Sequence, residues 1–274
     1  MRLKYVDEIR SLYAQLASGR QEYDFQPPAP VSHAEHYANQ PDRLRYYARQ
    51  VISGRFVLLL ASSRMTTQAL LFAYLGGVVT KAPFSMLLAA RSQLELFSVV
   101  ADTTRIIKEN SGEHAENFAA RVRAVDEALI SATFGTRNSV RKDRLQKMTL
   151  SRARPVTPGD YEVLTSKNIL TRLEKLSKGG IYPECKEDYE RLCDYVHPNW
   201  GMNLLHLVAS PISNKLLRLS LKSEEPFELA LLESANVMLR ASRGTIAVIG
   251  ELEPPFGMGK SSPLPQNAKN PAHS

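Results

Sequence analysis

Residues Pro83 to Glu109 read PFSMLLAARSQLELFSVVADTTRIIKE, and this stretch decides the fold. Proline favours the first turn of a helix, and the Ser111-Gly112 pair that follows is suited to end one. Apolar side chains lie on most sides of the helix between these limits, which is typical of a helix that is mostly buried. We therefore predict an all-α fold, a multi-helix bundle in which the other segments of the chain supply the neighbouring helices.

The rest of the chain repeats the helical pattern. Gly19 is suited to end a first amphipathic helix, and Asp42 to cap the second. Pro158 and Pro226 stand where they can open helices, whereas Pro211 should kink one. We find no alternation of apolar and polar residues between hairpin turns that would predict strands. The predicted helices span residues 6–17, 43–62, 66–79, 83–109, 113–133, 157–176, 187–196, 202–219 and 226–249.

Proline and charge divide the chain into regions. Residues 1–24 hold the N-terminal helix, and the prolines among residues 25–41 predict a connector that cannot be helical. Residues 42–250 form the predicted helical domain, in which a basic connection at 137–156 separates two halves. Proline, glycine, serine and asparagine are frequent in residues 251–274, so we predict a disordered tail there.

The N-terminus and the cysteine content indicate where the protein resides. The first residues carry charge where a signal peptide would be apolar, so we do not expect secretion. The longest apolar run, Ala69 to Val79, is shorter than the roughly 20 residues needed to span a bilayer. We interpret it as a buried core helix and predict no membrane insertion. Two cysteines, Cys185 and Cys193, are too few for a disulfide framework, which favours a cytoplasmic location.

The positive charge of the chain is concentrated in one segment. Between residues 137 and 154 there are seven basic residues and one acid, so this segment carries +6 of the formal net charge of +7. Clustered cations suit a surface that binds the phosphates of a polyanion such as RNA. The alternative is a solvated connection between two helical halves. The basic residues are Arg137, Arg141, Lys142, Arg144, Lys147, Arg152 and Arg154.

A second candidate site is the segment from Tyr189 to Asn199, which reads YERLCDYVHPN. Arg191 offers a fixed cation for a phosphate, and His197 a group that exchanges protons near neutral pH. Together they would suit RNA cleavage, in which a base activates a 2′-hydroxyl and a cation stabilises the phosphorane. Residues six apart on a regular helix diverge, but Pro198 allows the chain to bend at His197. The alternative is that His197 only ends the helix.

A polar stripe runs along the decisive helix. Arg91, Glu95, Ser98, Asp102 and Arg105 recur at spacings of three and four residues, so they share one face. The stripe either meets solvent or lines a polar cleft in the interior. In a cleft, Arg91 and Glu95 would orient each other and could position His197 or a phosphate.

Other chemistries receive little support from the sequence. Cys193 and His197 have the spacing of metal ligands on a helix, but no second Cys/His pair accompanies them. A reactive thiolate at Cys193 would be opposed by the charge of Asp194. There is no glycine-rich phosphate loop. We therefore expect neither a metal nor a cofactor.

Two motifs resemble known proteins. The element Arg91-x-x-x-Glu95 in an apolar helix, followed by Tyr189-x-x-Leu192-x-x-x-Val196-His197-Pro198, is similar to a group of uncharacterised bacterial all-α proteins. The spacing of Arg191 and His197 also resembles the Arg-x(4–6)-His pattern of the HEPN superfamily. The resemblance implies a helical bundle, frequent dimerisation and, in many members, metal-independent RNA cleavage in toxin–antitoxin or phage-defence settings. It further implies that His197 is the acid/base and Arg191 the phosphate-binding cation.

Two functional hypotheses follow. The first is an HEPN-like protein that acts on or binds RNA, as a metal-independent endoribonuclease and homodimer. The second is a non-catalytic helical protein that binds a partner or a small ligand, with Arg91, Glu95 and His197 as structural polar contacts.

Overall fold

The structure is a computed structural model that describes residues 2–19, 37, 39–111, 117–133, 168–196, 207–209, 217–219, 225–252 and 255–257. The helices are α1 (Arg2–Ala17), α2 (Pro41–Tyr47), α3 (Ser53–Val79), α4 (Pro83–Asn110), α5 (Phe118–Thr133), α6 (Ile169–Lys178), α7 (Cys185–Val196) and α8 (Glu225–Gly250). A π-helical turn, Ala48–Ile52, joins α2 to α3, and Pro255–Gly257 form a 3-10 turn. The all-α prediction is confirmed.

Helix α4 is the centre of the bundle. It begins at Pro83, as predicted, and ends one residue past the predicted limit, at Asn110. Five helices pack against it: α3, α5, α6, α7 and α8. Its most deeply buried side chains include Met86, Leu87 and Leu94, none of which is accessible to solvent. Burial of apolar surface on nearly every side makes α4 the helix on which the others assemble.

The apolar interior divides into two clusters along α3 and α4. The larger cluster joins α1, α4, α6, α7, α8 and the second half of α3, around residues such as Leu71, Leu94 and Met238. The smaller cluster joins α2, α5, the first half of α3 and Ile107 of α4, and it includes Ile52 and Leu129. The two long helices thus contribute to both clusters, which ties the two ends of the bundle together.

A glycine of α8 lies directly against a ring of α4. A Cβ atom placed on Gly244 would lie 2.6 Å from Cε2 of Phe97, which is closer than two carbon atoms can pack. One turn of α4 earlier, the amide of Gln93 donates to Thr67 of α3 at 3.3 Å and to Thr245 of α8 at 3.0 Å. The absence of a side chain at Gly244 therefore fixes how α8 lies on the central helix.

A buried ion pair links α3 to α5 in the smaller cluster. The side chains of Arg55 and Asp126 are both fully buried, and they contact each other directly. The hydroxyl of Tyr47 donates to the same carboxylate at 2.6 Å. Charges without access to water are tolerated when they are paired and hydrogen-bonded, which this arrangement achieves.

Several predicted helix limits need correction. Residues 62–66 do not separate two helices, since α3 continues through them to Val79. Asp42 does not cap α2, because that helix already begins at Pro41 and has Gln40 at its cap position. The side chain of Asn168 accepts a hydrogen bond from the backbone N–H of Leu170 at 3.0 Å, so α6 begins at Ile169. The prediction of a helix that runs through Asn168 is therefore wrong. Residues 157–167 of that predicted helix lie outside the described part of the chain.

The helix predicted over residues 202–219 is wrong where the structure describes it. Leu207–Ala209 form strand β1 and Leu217–Leu219 form strand β2. The two strands pair antiparallel, with Leu207 opposite Leu219. The segment is rich in leucine and valine, and a short apolar run of this kind is compatible with either structure.

The apolar run Ala69 to Val79 is a core helix on one face only. Leu71 and Tyr74 are fully buried, but Phe72 is 64% exposed and Val79 is 80% exposed. Two helical stretches, Pro41–Val79 and Pro83–Asn110, are long and apolar enough to cross a membrane by length and composition. Core helices of soluble proteins share these properties, so the absence of membrane insertion stays a prediction.

Folded structure continues past the predicted boundary of the tail. Leu252 and Phe256 pack in the smaller cluster, and the ring of Phe256 lies 5.7 Å from that of Phe118 in an edge-to-face arrangement. The folded part of the chain therefore extends beyond residue 251. Residues 258–274 of the predicted tail and residues 20–36 of the predicted connector and its N-terminal flank lie outside the described part.

We predict that Asp126→Ala destabilises the protein by about 3–5 kcal/mol, because it leaves the buried Arg55 without this carboxylate. The measurement is urea unfolding followed by circular dichroism. Glu127→Ala is the matched control: its carboxylate pairs with Arg123 at the surface of the same helix, and the change should stay within about 0.5 kcal/mol. Similar losses in both variants would contradict a special role for the buried pair.

Candidate functional site

Helix α7 carries the residues on which the functional predictions depend. Glu187 and Asp188 lie in its first turn, where negative charge stabilises the helix dipole. Cys185, Tyr189 and Leu192 are buried, so one side of the helix packs into the large cluster. The sequence therefore fixes both where α7 begins and which side faces the bundle.

On the α4 side of α7, three polar side chains form a cluster. The hydroxyl of Tyr189 donates to Oε1 of Glu95 at 3.0 Å and accepts from Nη2 of Arg91 at 3.2 Å. Arg91 and Glu95 also form an ion pair at 3.3 Å. The ion pair is the contact that their four-residue spacing on a helix allows. Part of the stripe thus lies beside α7, with Arg91 mostly covered and Glu95 still 39% exposed, and Tyr189 joins the pair to that helix.

Tyr189 of this cluster and the neighbouring Cys193 both have a raised pKa. Burial raises the pKa of Tyr189 to about 12, and the hydrogen bond from Arg91 only partly offsets it. Burial also raises the pKa of the Cys193 thiol, again against the effect of Arg91. Both groups therefore stay neutral at neutral pH, and Cys193 lacks the thiolate character of a nucleophile.

Arg191 points to another part of the bundle. It contacts Asp188 in the preceding turn, and its Nε lies 2.6 Å from the carboxylate of Glu233 on α8. Two residues along a helix correspond to a rotation of about 200°, so Arg191 and Tyr189 lie on nearly opposite sides of α7. Because two carboxylates already balance its charge, Arg191 fastens α7 to α8 in this structure.

Asp102 belongs to a third group of charges, beneath α6. Its carboxylate is buried, and three cations surround it: Arg105 at 3.1 Å, Lys175 at 3.5 Å and Arg172 at 3.9 Å. Burial lowers the pKa of Arg172, and the charge of Asp102 opposes that shift. The stripe on α4 thus contacts two neighbouring helices: Arg91 and Glu95 meet α7, and Asp102 meets α6. Asp102 does not join the cluster at Tyr189.

The remaining predicted site residues lie outside the described part of the chain. His197 and Asn199 follow directly after the last residue of α7. The seven cations of the basic segment are likewise in residues 134–167, which the structure does not describe: Arg137, Arg141, Lys142, Arg144, Lys147, Arg152 and Arg154. Their predicted roles stay predictions.

The sequence did not point to the residues that join α7 to a cavity. Asp188 accepts a hydrogen bond from the hydroxyl of Tyr182 at 2.6 Å, in the connection between α6 and α7. The guanidinium of Arg240 on α8 lies 4.1 Å from the ring centroid of Tyr182 and bonds to Glu184 at 2.9 Å. These contacts hold the connection against α8. The signals in the sequence were weak, because all of these contacts except that between Tyr182 and Asp188 join distant segments.

The cavity lies between α4 and α8 and has a volume of about 620 Å³. We call it the α4–α8 cavity. It adjoins the contact between Phe97 and Gly244, and the connection between α6 and α7 forms one of its walls. Its apolar lining includes Phe97, Ala101, Ile181, Tyr182, Ala247 and Val248.

Among the residues that the structure describes, no three histidine, cysteine, aspartate or glutamate side chains are grouped so that they could hold a metal ion. The comparisons with known proteins return no match. This holds for protein-family models, for curated proteins and for solved structures.

We predict that Arg191→Gln and Glu233→Gln each lower the free energy of unfolding by about 1 kcal/mol, since each removes one partner of a partly buried ion pair. The double variant should cost less than the sum of the two, with a coupling of at least about 0.5 kcal/mol. Lys186→Gln is the control, because its pair with Glu190 is exposed and long, at 3.9 Å. Strict additivity of the two changes would contradict the contact.

Proposed function

We propose that the protein binds RNA as an HEPN-like helical protein, with the basic segment at residues 137–154 as the main contact to phosphates. The observation that carries the proposal is the concentration of +6 of the formal +7 charge in that segment. Counterions released from phosphates by clustered cations supply most of the affinity of sequence-independent binding. The confirmed helical bundle is compatible with the resemblance to the HEPN superfamily.

Endoribonuclease activity is the finer part of the proposal, and it depends on His197. This residue follows Val196, the last residue of α7. In the proposed reaction the imidazole takes the proton of a 2′-hydroxyl, whose oxygen then attacks the adjacent phosphorus to form a 2′,3′-cyclic phosphate, while the displaced 5′-oxygen takes up a proton from water and leaves as a hydroxyl. A toxin or phage-defence role would follow from such cleavage.

The contacts of Arg191 limit its part in this chemistry. A phosphate would compete with Asp188 and Glu233 for the guanidinium, so Arg191 would have to exchange one carboxylate for the substrate. Arg91 is held in the same way by Glu95. This specific observation favours the second candidate, a non-catalytic protein in which both arginines are structural contacts.

Binding is tested with a single-stranded RNA by fluorescence anisotropy over a range of salt concentrations. Changing Arg137, Arg141, Lys142 and Arg144 to glutamine should reduce the slope of log K against log salt by about 3, since four phosphate contacts are lost. The control variant changes four exposed cations outside the segment to glutamine: Arg43, Arg49, Lys81 and Lys186. An equal reduction in the control, or no binding by the unchanged protein, would contradict the proposal.

Cleavage is tested by incubating the same RNA with the protein in the presence of a chelator. We expect His197→Ala to reduce the rate by about 10²–10⁴, which is the usual contribution of a general acid or base. Cys193→Ala is the control, because the nearby thiol has no role in the proposed reaction. No cleavage by the unchanged protein, or equal rates in the unchanged protein and the His197 variant, would leave RNA binding without catalysis.

Dimerisation is the proposed state of assembly, and the exposed face of α3 supports it. Met65, Ala69, Phe72, Gly76 and Val79 recur at spacings of four and three residues, the heptad pattern of paired helices. Large and small side chains alternate along this stripe. Two copies related by a two-fold axis could therefore set the large residues of each against the small residues of the other.

We predict that the unchanged protein has the mass of a dimer in light scattering and that Phe72→Asp converts it to a folded monomer with the same circular dichroism spectrum. The new charge would be buried in the interface but solvated in the monomer. Leu232→Asp is the matched control, because Leu232 is a 55% exposed leucine on α8. A monomeric unchanged protein, or a dimeric Phe72 variant, would refute the interface.

A further inference from the structure

We propose that the α4–α8 cavity is a binding site for an amphipathic small molecule with an apolar body and one anionic group, such as a fatty carboxylate. This site is independent of RNA binding, since none of its residues belongs to the basic segment. Its volume of about 620 Å³ lies in the range of pockets that enclose small ligands.

The cavity exists because some of the residues around it have small side chains, and the ring of Tyr182 is held in place by other contacts. Gly244 and Phe97 bring α8 and α4 together at one edge, and Ala101 and Ala247 then leave space between the helices. The ring of Tyr182 cannot turn in to fill it, because its hydroxyl is bonded to Asp188 and Arg240 lies over its face. The space is therefore built into the fold, and apolar walls favour an apolar occupant.

Access from solvent is provided by the connection between α6 and α7. Ile181 lines the cavity and is 57% exposed, so its side chain lies at the opening. Ala247 on the opposite wall is exposed as well. A ligand could thus enter without separating the helices, with its apolar body against the alanines and its polar group at the mouth.

The charges of the lining select an anion. Four cations line the cavity, on both helices, against two carboxylates, Glu109 and Glu251. Each of these carboxylates pairs with a cation of the lining, while Arg240 and Arg243 pair with Glu184 and Glu8 outside it, so the lining itself carries two more cations than carboxylates. The cations are Arg105, Lys108, Arg240 and Arg243.

Two of the cations are best suited to hold the anionic group. Lys108 is 57% exposed, and its ion pair with Glu251 is long, at 3.5 Å. Arg243 is 59% exposed and contacts Glu8 of α1 through one nitrogen, while a guanidinium carries several N–H donors. By contrast, Arg105 bonds to both oxygens of Glu109 and also to Asp102. We therefore assign the anionic group to the space between Lys108 and Arg243.

The test is calorimetric titration of the full chain with dodecanoate, dodecanol and dodecylamine, which share one apolar body and differ in the charge of the head group. All three are used below the concentration at which they form micelles. We expect one molecule of dodecanoate to bind, dodecanol to bind more weakly and dodecylamine to bind least. Equal or tighter binding of dodecylamine would refute the anionic class, and no binding of any of the three would refute the site.

Substitutions locate the binding. Ala247→Trp should lower the affinity for dodecanoate at least about tenfold, because the indole fills the cavity. Asn236→Trp, at an exposed position of the same helix, should leave the affinity unchanged. Lys108→Gln and Arg243→Gln should weaken the binding of dodecanoate but leave the binding of dodecanol unchanged. The Phe72→Asp variant should bind dodecanoate as tightly as the unchanged protein, and this result would exclude adsorption of the ligand on the exposed face of α3. Equal effects of Ala247→Trp and Asn236→Trp, at unchanged unfolding temperatures, would overturn the location. RNA binding should be the same in all of these variants.

Discussion

Gly244 leaves the space in which the ring of Phe97 lies, and the rest of the bundle depends on this contact between the two helices. A Cβ atom at Gly244 would lie 2.6 Å from the ring of Phe97, so either the ring or α8 would have to move. The same contact brings Gln93 within hydrogen-bonding distance of Thr67 and Thr245, so the three longest helices share one buried polar junction. It also creates the cavity, since two helices that touch at a glycine leave a gap where alanines follow.

Polar contacts then fix α7 from two sides. On one side Tyr189 bonds to Arg91 and Glu95 of α4, and on the other Arg191 bonds to Glu233 of α8. Such contacts contribute modestly to stability, but they define the rotation of the helix better than apolar packing does. These contacts therefore orient α7 up to its last residue, Val196. This is a structural role for Arg191 that is independent of any reaction with RNA.

Patterns within one helix could be predicted from the sequence, whereas contacts between distant segments could not. Pro83 marked the start of α4, and the spacing of Arg91 and Glu95 predicted their ion pair, because both follow from local geometry. The partner of Arg191, Glu233, is on another helix, and nothing in the local sequence indicates it. The exposure of Phe72 was missed for a related reason: an apolar run shows that a helix has surface to bury, but not which neighbours cover it.

The distribution of charge explains why the two proposed sites can be separate. The basic segment holds +6 of the formal net charge, so the remainder of the chain is close to neutral. Within the described residues many of the cations are paired, as Arg191 and Arg240 are with Glu233 and Glu184. In the proposed function, long-range attraction of a polyanion would therefore come from the basic segment. At the α4–α8 cavity an anion would be selected at short range, by the cations at its mouth and by the apolar walls behind them. A polymer of phosphates has no apolar body to place there, and a fatty carboxylate has only one charge to offer the basic segment. Each proposed site would thus discriminate against the ligand of the other.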